Sequence, residues 1–456
     1  MTAGKSAGRW VIGAAMAATL VAGAGLGGQY VLTQRYAALT AAADRALDAG
    51  DADGAKTAAR LALNARTLHA WTGIDPARAD SLLRDALMQG ENAVTETGTR
   101  PLPVYHGPYD MPPGTVDMAP DGSRLILLEN ATPGPLMQDV YALPSLRLLR
   151  RAPYFADAAT GFPAIFRVVS PDLGLGLDGT APGTRFIDTA SGKPVLSDFH
   201  PPSAFGPWQV ADDRHVLAAI DDPKEDKTSI VRVWNLRATP AQAFDYPIVG
   251  DDYALAADGR SLMTAKSTFS GDQAFKDEYQ IWDLANHRHR LTIEAVSSRF
   301  TFSRDGRYFA VSGYDGMAGS GRTRLWDTRG YQPVGTPLPA AVFDVRTMTV
   351  LSGGHVLAIA TGGAIYAYDL DDHRLLGRAS DIATGVQQGI GWTGQTVEDI
   401  SFDHVLHSYA LNPLLSLDRA ALAAAACRRW GTAAMRLTAD EVAGPGYRLA
   451  RDACPA

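Results

Sequence analysis

A two-part signpost recurs through the later three quarters of this chain, and no other feature restricts its fold as tightly. The first part is a tight turn built around aspartate. It reads Ala119-Pro120-Asp121-Gly122, Ser170-Pro171-Asp172, Ala211-Asp212-Asp213, Ala256-Ala257-Asp258-Gly259, Ser303-Arg304-Asp305-Gly306 and, without the acid, Leu351-Ser352-Gly353-Gly354. Asp-Gly favours the left-handed backbone angles of a hairpin turn. Apolar runs follow, as in Leu125-Ile126-Leu127-Leu128, Val216-Leu217-Ala218-Ala219-Ile220, Tyr308-Phe309-Ala310-Val311 and Val356-Leu357-Ala358-Ile359-Ala360. Unbroken runs of this length suit strands covered on both faces. The second part comes about 15–25 residues later, within a unit that repeats at roughly 40–50 residues, the period of propeller blades. It is an aromatic followed by a polar residue: Trp234-Asn235-Leu236, Trp282-Asp283-Leu284, Trp326-Asp327-Thr328 and Tyr368-Asp369-Leu370, with Ile187-Asp188-Thr189 a weaker copy. The aromatic supplies a large apolar contact, and the acid starts the next turn.

Units reading Ser/Ala-x-Asp-Gly and then Leu/Ile/Tyr-x-Trp-Asp resemble bacterial WD40 repeats. The resemblance covers residues 115–415; the Gly-His dipeptide common in eukaryotic members does not recur from unit to unit and occurs once, at Gly354-His355. It implies an all-β, WD40-like β-propeller. A degenerate last unit runs from Gly389-Ile390-Gly391-Trp392 to Ser408-Tyr409-Ala410, so seven blades are expected, with six or eight as alternatives. Trp234, Trp282, Asp283, Trp326, Asp327, Tyr368 and Asp369 are expected to be structural blade residues.

Ahead of the repeats lies a charge-free stretch from Trp10 to Gln34, preceded by Lys5 and Arg9. Its length of about 25 residues exceeds the roughly 20 a membrane-spanning helix needs. Trp10 and Tyr30 sit near its ends, where interfacial aromatics are favoured. Gly23 and Gly27 would allow close packing of two such helices, and hence a dimer through the anchor. A cleavable signal peptide competes, with Ala22-Gly23-Ala24 as its cleavage site. The flanking Lys5 and Arg9 favour a cytoplasmic N-terminus, which places the remainder outside the cytoplasm. The expected location is a bacterial inner membrane, single-pass, with the propeller on the periplasmic side.

From Arg35 to Gln89 the period is helical. Asp51-Ala52-Asp53-Gly54 breaks it without the ligand set of a calcium loop, and Asp75-Pro76 opens another helix. The hairpin resembles a tetratricopeptide unit, though one or two units form no solenoid. The expected organisation is a cytoplasmic N-terminus (1–9), a transmembrane anchor (10–34), a helical neck (35–90), a linker (91–114), the propeller (115–415) and a helical tail (416–456). In the tail Thr438 and Glu441 form a capping box. It also holds the two cysteines, Cys427 and Cys454. Their short separation and an extracytoplasmic setting predict a disulfide. The neck, Ala43-Asp44-Arg45-Ala46-Leu47-Asp48 and Ala58-Ala59-Arg60-Leu61-Ala62-Leu63, and the tail, Ala426-Cys427-Arg428, Arg436-Leu437-Thr438-Ala439-Asp440-Glu441 and Cys454-Pro455, resemble the segments flanking the propeller of STAND-type NTPase–WD40 signalling proteins. That resemblance implies their sensing or scaffolding half alone.

Little in the sequence points to catalysis. There is no Walker-type phosphate loop or Gly-x-Ser-x-Gly elbow. Gly174-Leu175-Gly176-Leu177-Asp178-Gly179 matches a dinucleotide pattern by letters only, in a hairpin context. No Cys/His cluster has zinc spacing, and no cofactor is expected. The net charge of -7 gives no reason to seek nucleic acid. Paired acids at Asp221-Asp222, Asp251-Asp252 and Asp371-Asp372, and the histidines His287 and His289, read as turn and loop residues. Function is expected in loops, at Asp221–Thr228, Ser267–Glu278 and Tyr314–Arg322. Phe269 and Phe275 in the second are candidate partner-binding residues. The resulting expectation is a membrane-tethered, non-catalytic scaffold for a protein partner or envelope ligand. The alternative is a propeller enzyme, lactonase- or glycosidase-like, with a metal or carboxylates in its channel.

Overall fold

The structure is a computed structural model. It describes residues 29–437 and Cys454, apart from 70–72, 103–115, 120–122, 131–135, 154–166, 169–174, 179–184, 189–190, 192, 197–198, 200–207, 213, 222–229, 238–240, 249–252, 271–272, 315–320, 340–341, 343–344, 362, 382–388, 394 and 401–404. The chain forms two compact units, one of Ala93–Pro413 and one of Met1–Asn92 with Leu414–Ala456.

The larger unit is an all-β propeller of seven antiparallel blades. Blade one comprises Val116–Met118, Arg124–Asn130, Leu136–Ala142 and Arg147–Pro153. Blade two has the short strands Arg167–Val168, Leu175–Asp178, Arg185–Asp188 and Pro194–Val195. Blade three follows with Trp208–Val210, Val216–Asp221, Ile230–Asn235 and Gln242–Pro247. Blade four opens with Tyr253–Leu255, Ser261–Ser270 and Gln273–Asp283. The 15-residue strand Arg288–Phe302 then serves as its fourth strand and as the first of blade five, so the two blades share one seven-stranded sheet. Blade five continues with Tyr308–Tyr314, Gly321–Asp327 and Gln332–Pro333. Blade six is Val345–Val350, Val356–Thr361, Ala364–Asp369 and Arg374–Asp381.

Blade seven closes the ring. Gly389–Thr393, Thr396–Ile400 and Val405–Leu411 come from the end of the repeat region, and the fourth strand, Val94–Pro101, from its beginning. The sequence expectation placed residues 91–114 in a linker; the strand lies inside it. Only Val94 of this strand is buried, so no apolar alternation advertises it. The expected extra strand at 104–106 lies outside the described residues.

Apolar runs fill the spaces between blades. Val356–Thr361 and Ala364–Asp369 are buried at every position, as expected for strands covered on both faces. Met348, Leu357, Ile359 and Tyr366 of blade six pack with Tyr308, Ala310 and Leu325 of blade five. Val231, Val233 and Tyr246 of blade three pack with Tyr253 and Leu262 of blade four.

The smaller unit is helical. Residues 29–48, Ala52–Thr67, Ala77–Met88 and Arg419–Trp430 are α-helices. The expected turn at Asp51–Gly54 is a helix N-cap: Asp51 Oδ1 accepts from Gly54 N–H at 2.6 Å. A Cβ on Gly54 would lie 2.3 Å from the carbonyl oxygen of Ala46, so only glycine fits. Alanines 43, 58, 59, 62, 65, 79 and 86 are wholly buried, which lets the helices approach closely. The Asp80 carboxylate, also fully buried, is paired by Arg66 and by Arg419, whose Nε lies at 3.1 Å. Cys427 and Cys454 form a disulfide.

Among the described residues no helix is long and apolar enough to cross a membrane. Residues 10–28 of the expected anchor, and the capping box at Thr438 and Glu441, lie outside the described residues.

Candidate binding cleft between the fourth and fifth blades

In a four-stranded antiparallel blade the first and third connections lie at the same end. Both signposts of each repeat therefore fall on one face of the ring. The aspartate of the second signpost holds its own turn. Oδ1 of Asp283 accepts from Ala285 N–H at 3.0 Å, Asp327 from Arg329 N–H at 2.7 Å, and Asp369 from Asp371 and Asp372 N–H at 2.8 and 2.9 Å. Asn235 does the same for Arg237. Such Asx turns explain the residue type without any chemistry. In the first signpost, Asp258 and Asp305 accept from Arg260 and Arg307 N–H, and Gly259 and Gly306 adopt φ of 67° and 69°.

Five residues after the aromatic, four blades place a side chain in the left-handed region: Leu146, His287, Tyr331 and His373, with φ of 51–57°. His287 stacks on Phe244 of blade three. Tyr331 hydrogen-bonds Ser261 of blade four and carries the Arg290 guanidinium 5.7 Å from its ring centroid. His373 lies against Gly335 of blade five. Each plugs the preceding blade, so a strained turn conformation is tied to ring assembly.

Between blades four and five these turns enclose a cleft of about 450 Å³, lined by Asp258, Asp283, Asp305, Arg260, Arg290, Arg307, Arg329, Ser261 and Tyr331 among others. Most of its charges are engaged. Asp283 accepts from Arg290 Nη2 and Nε at 2.5 and 3.1 Å and from Asn286 at 2.9 Å. Burial acts to raise the Asp283 pKa, but these bonds and that from Ala285 outweigh it and hold the carboxyl below its ordinary value. Asp305 accepts from Ser303 Oγ at 2.6 Å. Arg307 pairs with Asp327 at 3.5 Å and lies over the Tyr308 ring. Burial raises the Asp258 carboxyl, and nearby Asp305 adds to the effect against the opposing influence of Arg260. Burial likewise raises the Tyr331 phenol. Arg260 and Arg329 are exposed.

The cleft was not anticipated as a site. The signal was available: Asp-Gly-Arg occurs at 258–260 and again at 305–307, so the turn that sets the blade also projects an arginine beside it.

Of the expected structural residues, Trp234, Tyr368 and Asp369 are buried at 7, 2 and 0 % exposure. Trp282 and Trp326 are half-buried: Trp282 Nε1 donates to Thr264 Oγ1 at 3.1 Å, and Trp326 stacks on Phe309. The side chains of Phe269 and Phe275 lie outside the described residues. Their backbone differs from the expected loop, because Ser267–Glu278 continues a paired ladder that extends to Ser270 opposite Gln273. Thr268, a residue type at ease in a pleated strand, stands in register with Lys276, and Ser267 with Asp277. Residues 222–229 and 315–320 of the other two expected loops, and Asp251-Asp252, lie outside the described residues. Asp371 pairs with His355 at 2.8 Å and Asp372 with Arg374 at 3.0 Å. Among the described residues no group of three or more His, Cys, Asp or Glu is placed to hold a metal ion.

Fold and turn chemistry together define the class: a seven-bladed β-propeller with an arginine-lined cleft on its turn face. No family model matches the chain, and no curated protein matches it. Among solved structures it is similar to Kuenenia stuttgartiensis hydrazine synthase, at 14 % identity and a TM-score of 0.42, over 66 % of this chain and 97 % of that one. At that distance the likeness carries no functional argument.

Proposed function

We propose that this protein is a membrane-tethered, non-catalytic scaffold whose WD40-like propeller docks a protein partner on its turn face. One observation carries the reading. The carboxylates of the blade four and five turns are spent on their own backbone and on neighbouring arginines, while exposed cationic side chains remain at the mouth of a formed cleft. Groups arranged in this way recognise a surface; a hydrolytic site needs carboxylates free to move protons.

Tethering is supported by the charge-free run from Trp10 to Gln34 and its basic N-terminal flank. Placement outside the cytoplasm is supported by the Cys427–Cys454 bridge, because such bonds persist in oxidising compartments. The flanking resemblance to STAND-type signalling proteins fits a sensing role.

The test is site-directed photocrosslinking in native membranes, with the probe placed in turn 283–290 and, as a control, on the opposite blade edge. The expected result is a discrete protein adduct from the turn-face probe, in a carbonate-resistant membrane fraction. A soluble chain, or equal and diffuse labelling from both positions, would overturn the reading. So would turnover of lactone or glycoside substrates by the purified protein.

A further inference from the structure

We propose that the cleft between blades four and five binds carboxylate side chains of an acidic peptide segment, held by Arg260 and Arg329. The inference rests on the docking reading above and names the chemistry of the docked partner.

Four guanidinium groups line the cleft, but they are not equivalent. Arg290 is committed to Asp283 and to the Tyr331 ring. Arg307 is committed to Asp327 and the Tyr308 ring. Arg260 and Arg329 are exposed, and among the described residues neither guanidinium makes a hydrogen bond or ion pair. Arg260 acts on Asp258 only at a distance. Their backbone N–H groups are bound by the turn aspartates at 2.9 and 2.7 Å, so both side chains leave from rigid turns.

The site is also held in shape across the blade boundary. Tyr331 of blade five bonds Ser261 of blade four. The Asp258 carboxylate of blade four sits so close to Gly306 of blade five that a Cβ there would lie 2.5 Å from its Cγ. Within blade five, Thr328 Oγ1 ties the two turns together by donating to the Gly306 and Arg307 carbonyls at 3.0 Å each. A preformed cleft loses little conformational freedom on binding.

Charge selects the ligand. With Asp327 on Arg307, four arginines meet four aspartates around the cleft, so the capacity to take an added anion lies in the exposed Arg260 and Arg329 guanidinium groups. A phosphate dianion entering it would meet Asp258, Asp283 and Asp305 as well. A single carboxylate per guanidinium matches the planar two-point geometry of arginine and spreads the added charge over two points. The volume of about 450 Å³ admits side chains and a short length of backbone, and the chain's net charge of -7 disfavours a long polyanion.

The experiment uses the full chain and fluorescence polarisation of a labelled hexapeptide alternating aspartate and glycine. Competitors are the same peptide with asparagine, and inorganic phosphate. The aspartate peptide should bind, weaken with added salt, and be displaced by neither competitor at equal concentration. The double variant Arg260→Ala/Arg329→Ala should bind about tenfold or more weakly, and Arg260→Lys/Arg329→Lys should recover part of the loss. Both residues are exposed, and circular dichroism checks that the variants keep the fold. Equal binding of the aspartate and asparagine peptides, an unchanged double variant, or displacement by phosphate would each overturn the proposal. Turn-face crosslinks that persist while the peptide fails would remove the acidic ligand and leave the docking reading standing.

Discussion

Nδ1 of His287 lies 2.9 Å from the hydroxyl of Tyr246, and the imidazole stacks on Phe244 with ring centroids 3.4 Å apart. The two tyrosine and phenylalanine rings belong to the last strand of blade three, the histidine to a turn of blade four. One left-handed residue therefore joins two blades that share no backbone ladder.

That junction separates two substitutions of His287. His287→Ala keeps the strained φ and loses the stack and hydrogen bond, and should destabilise the propeller by about 1–2 kcal/mol. His287→Gly loses the same contacts but relaxes the backbone, and should cost about 1 kcal/mol less than alanine. Urea unfolding followed by tryptophan fluorescence measures both. Equal effects would mean the turn holds no strain.

Asp399 sits in the blade that closes the ring, fully buried. Burial raises its pKa to about 7, against the opposing influence of His407 and the Ile400 N–H. A raised carboxyl favours folding while protonated, so this contribution is complete below the unfolded value near 4 and fades as pH rises through about 7. Asp399→Asn should be nearly neutral at pH 4 and stabilise by roughly 2–4 kcal/mol at pH 8. Melting temperatures at the two pH values give the comparison, and a variant equally destabilised at both would contradict it.

Three phenols, Tyr246, Tyr308 and Tyr368, are pushed up to about 12, in each case chiefly by burial. The unfolded chain releases these protons near pH 10 and the folded chain near 12. Stability should fall between those values, while the folded protein shows at least these three tyrosines missing from the tyrosinate absorbance at pH 11. Full ionisation by pH 11 without unfolding would contradict the packing of these rings.

The Cys427–Cys454 bridge closes a loop with a sequence separation of 27. Reduction should destabilise the helical unit by about 3 kcal/mol, since the bridge restricts the unfolded chain. Calorimetry with and without reductant reads this as a lowered transition for that unit. An unchanged profile would mean the bridge contributes nothing to its stability.

Much of the ring was legible because its turns are local. Asp283 and Asp327 satisfy N–H groups two residues away, Gly259 and Gly306 supply a left-handed angle, and nearby apolar runs are covered on both faces. Each effect acts over a few residues and repeats. The closing strand was not legible, because seven of the eight residues of Val94–Pro101 are exposed and its partner, Val405–Leu411, lies at the other end of the ring. The long hairpin of blade four reads as a loop for a related reason: polar residues such as Ser267, Asp277 and Glu278 suit a paired ladder as well as a loop.

By itself, then, the sequence determined the repeat, its turns and the cysteine pair, since backbone preference and residue spacing act within one unit. The tertiary structure alone decided which strand closes the ring, which residue plugs which neighbour, and where Arg260 and Arg329 share a cleft. Those outcomes depend on surfaces meeting across blade boundaries, and the distance between two side chains there is set by the twist and packing of whole sheets.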